Sequence, residues 1–313
     1  MSAFAFVFPG QGSQSVGMLD VWGDHPAVRE TLAEASDALG EDIAALIAQG
    51  PKEQLDLTTN TQPVMLTAGV ACWRAWLAET GLQPAAVAGH SLGEYAALVA
   101  AGALTLKDAL PLVRFRAQAM QEAVPVGTGG MAAILGMDAE AVKAGCAQAA
   151  AESGQAVEAV NFNDPKQTVI AGTKAGVEKA CEVLKAAGAK RALPLPVSAP
   201  FHSSLMKPAA ERLKDKLAAT AFAVPQIPVV NNIDVAVATD VAAIRDALYR
   251  QAFGPVRWVE TIQALKARGL THVIECGPGK VLSGMVKRID AELVTTTVYD
   301  PASLAEAKAF FAS

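Results

Sequence analysis

Residues 89–93 read Gly-His-Ser-Leu-Gly and match the pattern G-x-S-x-G. That pattern suits a sharp turn from strand into helix that exposes the serine hydroxyl, and only glycine lets neighbouring backbone pass so close. Residues 85–88 read as a strand and 92–101 as a helix, so the motif has the context it needs. Ser91 then stands at a helix N-terminus. Main-chain N–H groups there, that of Leu92 in particular, can stabilise an oxyanion. The bland alternative is a chance glycine-rich turn.

A serine hydroxyl needs a base to act as a nucleophile. Four histidines are present. His25 precedes Pro26 in a polar loop and is expected at the surface. His90 lies inside the elbow, is expected to point away from Ser91, and reads as a structural group. His272 opens a strand. His202, in Pro200-Phe201-His202-Ser203, follows the last strand of an inserted unit, where the chain returns to the main body. It is the assigned base. Hydrolases with this elbow place an acid between serine and histidine in the chain. Asp108 and Asp138 there suit helix starts, and Asp164 suits a turn. The expectation is therefore a Ser–His dyad whose imidazole is held by a neutral group, such as a main-chain carbonyl.

Over residues 108–122, Ala109, Leu112, Val113, Arg116 and Met120 share one helix face, and Arg114 falls on the polar side with Lys107 and Gln121. An arginine on an apolar stripe is costly unless paired, and its planar fork matches a carboxylate. Arg116 either grips a substrate carboxylate or pairs with a core Asp or Glu; spacing leaves both readings open. Residues 9–14 follow the first strand directly, at the strand end where ligand sites gather in open α/β sheets. Gln11 can donate an amide N–H to the same oxyanion as Leu92, unless the segment is only a flexible turn. Ser15 stands where a dinucleotide-binding fingerprint needs its third glycine. Residues 277–280, Gly-Pro-Gly-Lys, lack the upstream glycine of a phosphate loop, and Val281 replaces its Ser/Thr.

These residues must be positioned by alternating strands and helices. Residues 4–8 read as a buried strand, 62–80 as a helix closed by Gly81, 105–122 as a helix capped by Thr105, and 272–275 as a strand. The alternation predicts an α/β fold with a mostly parallel, hydrolase-like sheet and helices on both faces. Residues 124–130 carry one proline and three glycines, a hinge composition. Beyond them come a strand at 131–135, a helix at 139–151, strands at 157–162 and 168–171, a helix at 174–187 and a strand at 191–197. That order, β-α-β-β-α-β, is ferredoxin-like. Two units are expected: a large catalytic domain, 1–125 and 199–313, and a small insert, 126–198.

Of the 313 residues, 26 are basic and 31 acidic, a formal net charge of −5, which argues against a nucleic-acid partner. No apolar run is long enough to span a membrane, and residues 1–12 lack the basic leader and cleavage site of a signal peptide. Cys72, Cys146, Cys181 and Cys276 have no metal-ligand spacing, so no metal site is expected. They read as reduced, buried thiols, and the cytoplasm is the expected compartment.

Taken together, the chain resembles the malonyl-CoA:acyl carrier protein transacylases, the acyltransferases of fatty acid synthesis. The likeness runs nearly end to end: FPGQGSQ (8–14), QPVMLTAG (62–69), GHSLGEYAALVAAG (89–102), RFRAQAM (114–120), DPKQTVIAG (164–172), FHSSLMKPA (201–209), VVNNID (229–234) and ECGPGKVL (275–282). The resemblance implies that Ser91 carries the acyl group and that His202 is base and acid. It implies that Arg116 pairs with the malonyl carboxylate and that Gln11 and the Leu92 amide form the oxyanion hole. Gln251 would orient His202 through its main-chain carbonyl, a role that its position alone does not suggest. Phe201 would shape the acyl pocket. Malonyl-CoA and acyl carrier protein are the implied partners, with no metal or bound cofactor, and nothing demands more than a monomer. Lys190, Arg191, Lys280, Lys287 and Arg288 are candidates for steering an acidic carrier. The rival readings are a serine esterase or thioesterase and a non-catalytic carrier-binding module.

Overall fold

The computed structural model describes residues 3–197 and 199–311. The expected domain boundary at 198 lies outside the described residues. Among the described residues, short apolar segments make nine strands: β1 (Phe4–Phe8), β2 (Ala86–Gly89), β3 (Gly129–Leu135), β4 (Val157–Asp164), β5 (Gln167–Thr173), β6 (Arg191–Pro194), β7 (Val229–Val230), β8 (His272–Cys276) and β9 (Val294–Val298). The main sheet runs β7-β2-β1-β8-β9, with every neighbouring pair parallel. β1 and β2 are buried at every residue, as continuous apolar strands of a covered parallel sheet must be.

The register decides where the motifs meet. Phe8 pairs with Gly89, so β1 and β2 end side by side and release residues 9–14 and the elbow into one place. β8 ends beside them, and its Gly277-Pro278-Gly279 turn packs Gly277 against Pro9. Behind the sheet, Phe6 meets the edges of Trp73 and Trp76 at ring distances of 5.5 and 5.3 Å. Those tryptophans lie on the helix Thr58–Thr80, which is closed by Gly81 in the left-handed conformation that glycine adopts without strain. This helix starts four residues earlier than its periodicity from Gln62 predicts. Pro63 sits inside the helix, where it removes only one ladder bond near the start.

The second sheet is antiparallel, in the order β4-β5-β3-β6. Helices Ala139–Ser153 and Lys174–Ala186 complete the β-α-β-β-α-β order and share an apolar core with it around Ile134, Val142, Ile170 and Leu184. β6 ends at Pro194 rather than 197, because prolines at 194 and 196 cannot donate to a ladder. β4 lies against the main unit: the Phe162 N–H donates to the Val256 carbonyl (3.0 Å) and the Val256 N–H to the Val160 carbonyl (2.8 Å). No helix among the described residues is long and apolar enough to cross a membrane.

Candidate active site

The turn after β2 is forced by its glycines. A Cβ at Gly89 would lie 1.9 Å from the Gly93 carbonyl, and one at Gly93 would lie 2.0 Å from the Phe8 carbonyl. Gly10 is equally confined, 2.5 Å from the His90 carbonyl, so residues 9–12 press directly on the elbow. Ser91 takes a φ of 53°, a left-handed conformation that costs a non-glycine residue of order 1 kcal/mol or more. His202 is strained in the same way, at φ 65°. Two strained side chains facing each other mark a place where function outweighs local comfort.

Their side chains touch. The Ser91 hydroxyl lies 2.7 Å from His202 Nε2, and His202 Nδ1 lies 2.9 Å from the Gln251 main-chain carbonyl. A carbonyl only accepts, so Nδ1 carries the proton and Nε2 presents its lone pair to the Ser91 O–H. His202 is buried, and that burial, reinforced by the nearby Arg116 charge, pushes its pKa down to about 3; the Gln251 carbonyl works weakly against them. The imidazole is therefore a neutral acceptor at physiological pH. The three aspartates between Ser91 and His202 are engaged elsewhere: Asp108 accepts from Thr105, Asp138 pairs with Lys166, and Asp164 pairs with Arg288.

Arg116, 2% exposed, lies at the floor of the same cleft. Its Nη2 donates to the Ser91 Oγ (3.3 Å) and to Gln251 Oε1 (3.0 Å), and its Nη1 donates to Gln62 Oε1 (2.8 Å). Its carbon lies 5.5 Å from the centre of the Tyr95 ring. Among the described residues no carboxylate contacts this guanidinium, so the core ion pair that the sequence left open is absent. Neutral amides and a ring hold a buried cation beside the nucleophile, which leaves its charge available to an incoming anion.

The Gln11 side-chain amide donates to Thr58 Oγ1 (3.2 Å). One histidine expectation is corrected. His25 is half-buried rather than at the surface, with its ring 5.6 Å from that of Trp22 and Nε2 3.3 Å from Glu79. Arg288 pairs with Asp164 at 2.6 Å and ties the helix Val281–Ile289 to β4. His90 does point away from Ser91, reaching Asn163 Oδ1 at 2.8 Å.

Three site residues had no place in the sequence reading. Asn232 brackets the elbow: its Nδ2 donates to the Gly89 carbonyl (2.7 Å) and its Oδ1 accepts the Ser91 N–H (2.7 Å). Glu94 accepts from the Asn232 N–H (2.9 Å) and from Gln251 Nε2 (3.0 Å), and Gln62 supports Arg116. Burial pushes the Glu94 carboxyl up to about 7 against those hydrogen bonds and the Arg116 charge. The signal was present: a glutamate inside the apolar run GEYAALVA asks for a buried partner.

The cleft opens into a cavity of about 560 Å³ between the two sheets, lined by Gln11, Ser91, Arg116, Asn161, Phe201 and His202 among others. A family model described as "Acyl transferase domain" matches residues 5–296. A malonyl CoA-acyl carrier protein transacylase from Salmonella typhimurium is 55% identical over 308 residues, covering 98% of this chain and 99% of that protein.

The chain belongs to the malonyl CoA-acyl carrier protein transacylase family of acyltransferases.

An acyl-carrier-protein S-malonyltransferase from Burkholderia pseudomallei is 69% identical, superimposes with a TM-score of 0.96, and covers 97% of this chain and 99% of its own. A malonyl-transacylase solved in complex with its type II PKS acyl-carrier protein is 52% identical at a TM-score of 0.95, over 98% of this chain and 99% of its own. Coverage of 97–98% of this chain at these identities extends the likeness over both catalytic motifs and the segments between them.

The buried, neutral imidazole of this transacylase has a consequence for pH. A histidine with a depressed folded pKa stabilises the fold above its unfolded pKa of about 6.5, and that stabilisation is lost as pH falls from there toward about 3. Buried His90 acts with the same sign. Glu94, pushed up to about 7, acts with the opposite sign over this range, so the His202 contribution is read as a difference: the melting temperature of wild type relative to His202→Gln should fall between about pH 7 and pH 5. Over the same range kcat/KM should show no inflection near 6.5, because the free base is already neutral.

Proposed function

We propose that the chain transfers the malonyl group from malonyl-CoA to the phosphopantetheine thiol of acyl carrier protein, through a malonyl ester on Ser91. The observation that carries this reading is the buried Arg116 guanidinium hydrogen-bonded to the Ser91 hydroxyl, which is itself bonded to a neutral imidazole.

The steps follow from the geometry. His202 Nε2 takes the Ser91 proton as Oγ attacks the thioester carbonyl. The main-chain N–H groups of Leu92 and Gln11 receive the oxyanion, each such donor being worth about 2.7–4 kcal/mol in related chemistry. The tetrahedral adduct expels the CoA thiolate, which takes the proton back from Nε2 and leaves as the thiol. In the second half the carrier's thiol gives its proton to Nε2 and attacks the ester, and Ser91 leaves and recovers the proton. The Gln251 carbonyl holds the ring through both halves, and Arg116 pairs with the distal carboxylate of the acyl group. Phe201, on the cavity wall, limits the acyl group's size. The reaction uses only these groups and the thioester, with no metal or redox cofactor, and it requires no second copy of the chain. A cytoplasmic location suits this chemistry, since CoA thioesters and carrier proteins are found there.

We assign residues 126–198 to a small unit that roofs the cleft and the remainder to the catalytic domain; the separate core of the second sheet supports this division. Of the basic candidates, Lys190 and Arg191 are exposed at the start of β6, and they form the preferred carrier-facing patch. Reversing both charges should raise the apparent KM for the carrier protein several-fold, more at low salt than at high, while leaving that for malonyl-CoA unchanged. Transfer is tested by incubating the chain with malonyl-CoA with and without a holo carrier protein. Malonyl-carrier should form rapidly, with little free malonate in the carrier's absence. Rapid release of malonate without an acceptor would instead make the chain a thioesterase.

A further inference from the structure

Gln251 touches the catalytic apparatus at three points. Its main-chain carbonyl accepts from His202, its Oε1 accepts from Arg116, and its Nε2 donates to the Ser91 carbonyl (3.0 Å) and to Glu94 Oε2 (3.0 Å). The orientation of this amide is fixed by chemistry. Arg116 only donates and the Ser91 carbonyl only accepts, so the amide has one orientation whichever protonation state Glu94 holds. A flipped amide would set NH2 against guanidinium and oxygen against carbonyl. The main-chain contact to His202 is held by the end of the helix Val241–Gln251. The side-chain contact to Arg116 has no such support; it depends on what anchors Nε2.

Two acceptors anchor it, the Ser91 carbonyl and Glu94, and Glu94 is the one supplied by a side chain. It is 2% exposed, in the first turn of the helix Gly93–Ala100, where the helix dipole favours an anion. The same Oε2 also accepts the Asn232 N–H, so the carboxylate is fixed from the strand side as well. The reaction scheme gives Glu94 no step, and it lies one amide away from the guanidinium.

We infer that Glu94 is a positioning residue for acyl selectivity: by holding Gln251 Nε2 it presents Gln251 Oε1 to Arg116 and so fixes the guanidinium where a diacid's free carboxylate must dock. The inference rests on the proposed malonyl transfer and refines it. A neutral acyl group makes no use of that guanidinium position, so the effect is confined to diacids.

The test compares malonyl-CoA with acetyl-CoA in wild type, Glu94→Gln and Glu94→Asp. Glutamine keeps the acceptor oxygen at the same reach and removes the charge. Aspartate keeps the charge and withdraws the acceptor by one methylene. Positioning predicts that E94Q retains the malonyl preference. E94D should lose it by about tenfold or more in the ratio of kcat/KM values, the effect of one hydrogen bond to a charged group, with acetyl transfer held within about threefold. Gln251→Met removes the arm and leaves Glu94; it should lose the preference in the ratio of kcat/KM values, whatever it does to acetyl transfer itself, even if E94D folds poorly. Loss in E94Q with retention in E94D would overturn the inference in favour of charge balance. Equal losses for both acyl groups would reduce Glu94 to a structural role. Failure of the underlying reading is separately visible, since wild type would then show no malonyl preference at all.

Discussion

Replacing Ser91 by alanine is expected to lower malonyl transfer by about four to six orders of magnitude, with the chain still folded and still binding malonyl-CoA. His202→Ala should cost nearly as much, and the double variant little more than either single one. The reason is mechanical coupling. With Oγ 2.7 Å from Nε2, the hydroxyl and the imidazole act on one proton in the acylation step, and without the ester that step makes the second half has no substrate. Groups that act on one bond as a unit give strongly non-additive losses. Additive losses in a steady-state assay would mean that the two side chains serve different steps. S91A also relieves little of the turn's strain, because alanine at φ 53° is no more comfortable than serine. Its melting temperature should therefore stay close to that of wild type.

Arg116→Ala is the second large effect. It should reduce kcat/KM for malonyl-CoA by about two to three orders of magnitude while acetyl-CoA transfer stays level or rises. A buried guanidinium meeting a carboxylate forms a charge-assisted, bidentate pair, and truncating one partner of such a pair costs about 2–5 kcal/mol. Acetyl has no carboxylate, so it loses nothing there and gains room. Arg116→Lys should rescue poorly, because an ammonium cannot serve Gln62, Gln251 and a carboxylate together in one plane. Equal losses for both acyl groups would remove the carboxylate-anchoring role and make Arg116 a support for Ser91 alone.

Much of this was legible in residue types. The elbow declared itself because only glycine fits at 89 and 93, and the strand before and helix after it are short and strongly patterned. His202 was found by elimination among four histidines and by its place at the return from the insert. The Arg116 stripe was legible from helical spacing, but its partners were not. Gln62 is 54 residues away and Gln251 is 135 away, and no local pattern links an amide to a guanidinium across that distance. Asn232 and Glu94 were missed for the same reason: their work is done by single hydrogen bonds across the ends of β2 and β7. The start of the long helix was misplaced because residues 58–61, Thr-Thr-Asn-Thr, carry no apolar periodicity. His25 was misjudged because the aromatic contact that half-buries it comes from Trp22, one turn earlier.

The central claim is a covalent malonyl ester on one hydroxyl. Intact mass spectrometry after brief exposure to malonyl-CoA, followed by peptide mapping, tests it most directly. The account predicts one malonyl group per chain, located on Ser91, absent from S91A and discharged on addition of a holo carrier protein. Transfer to carrier without any such adduct, or an adduct on another residue, would contradict it.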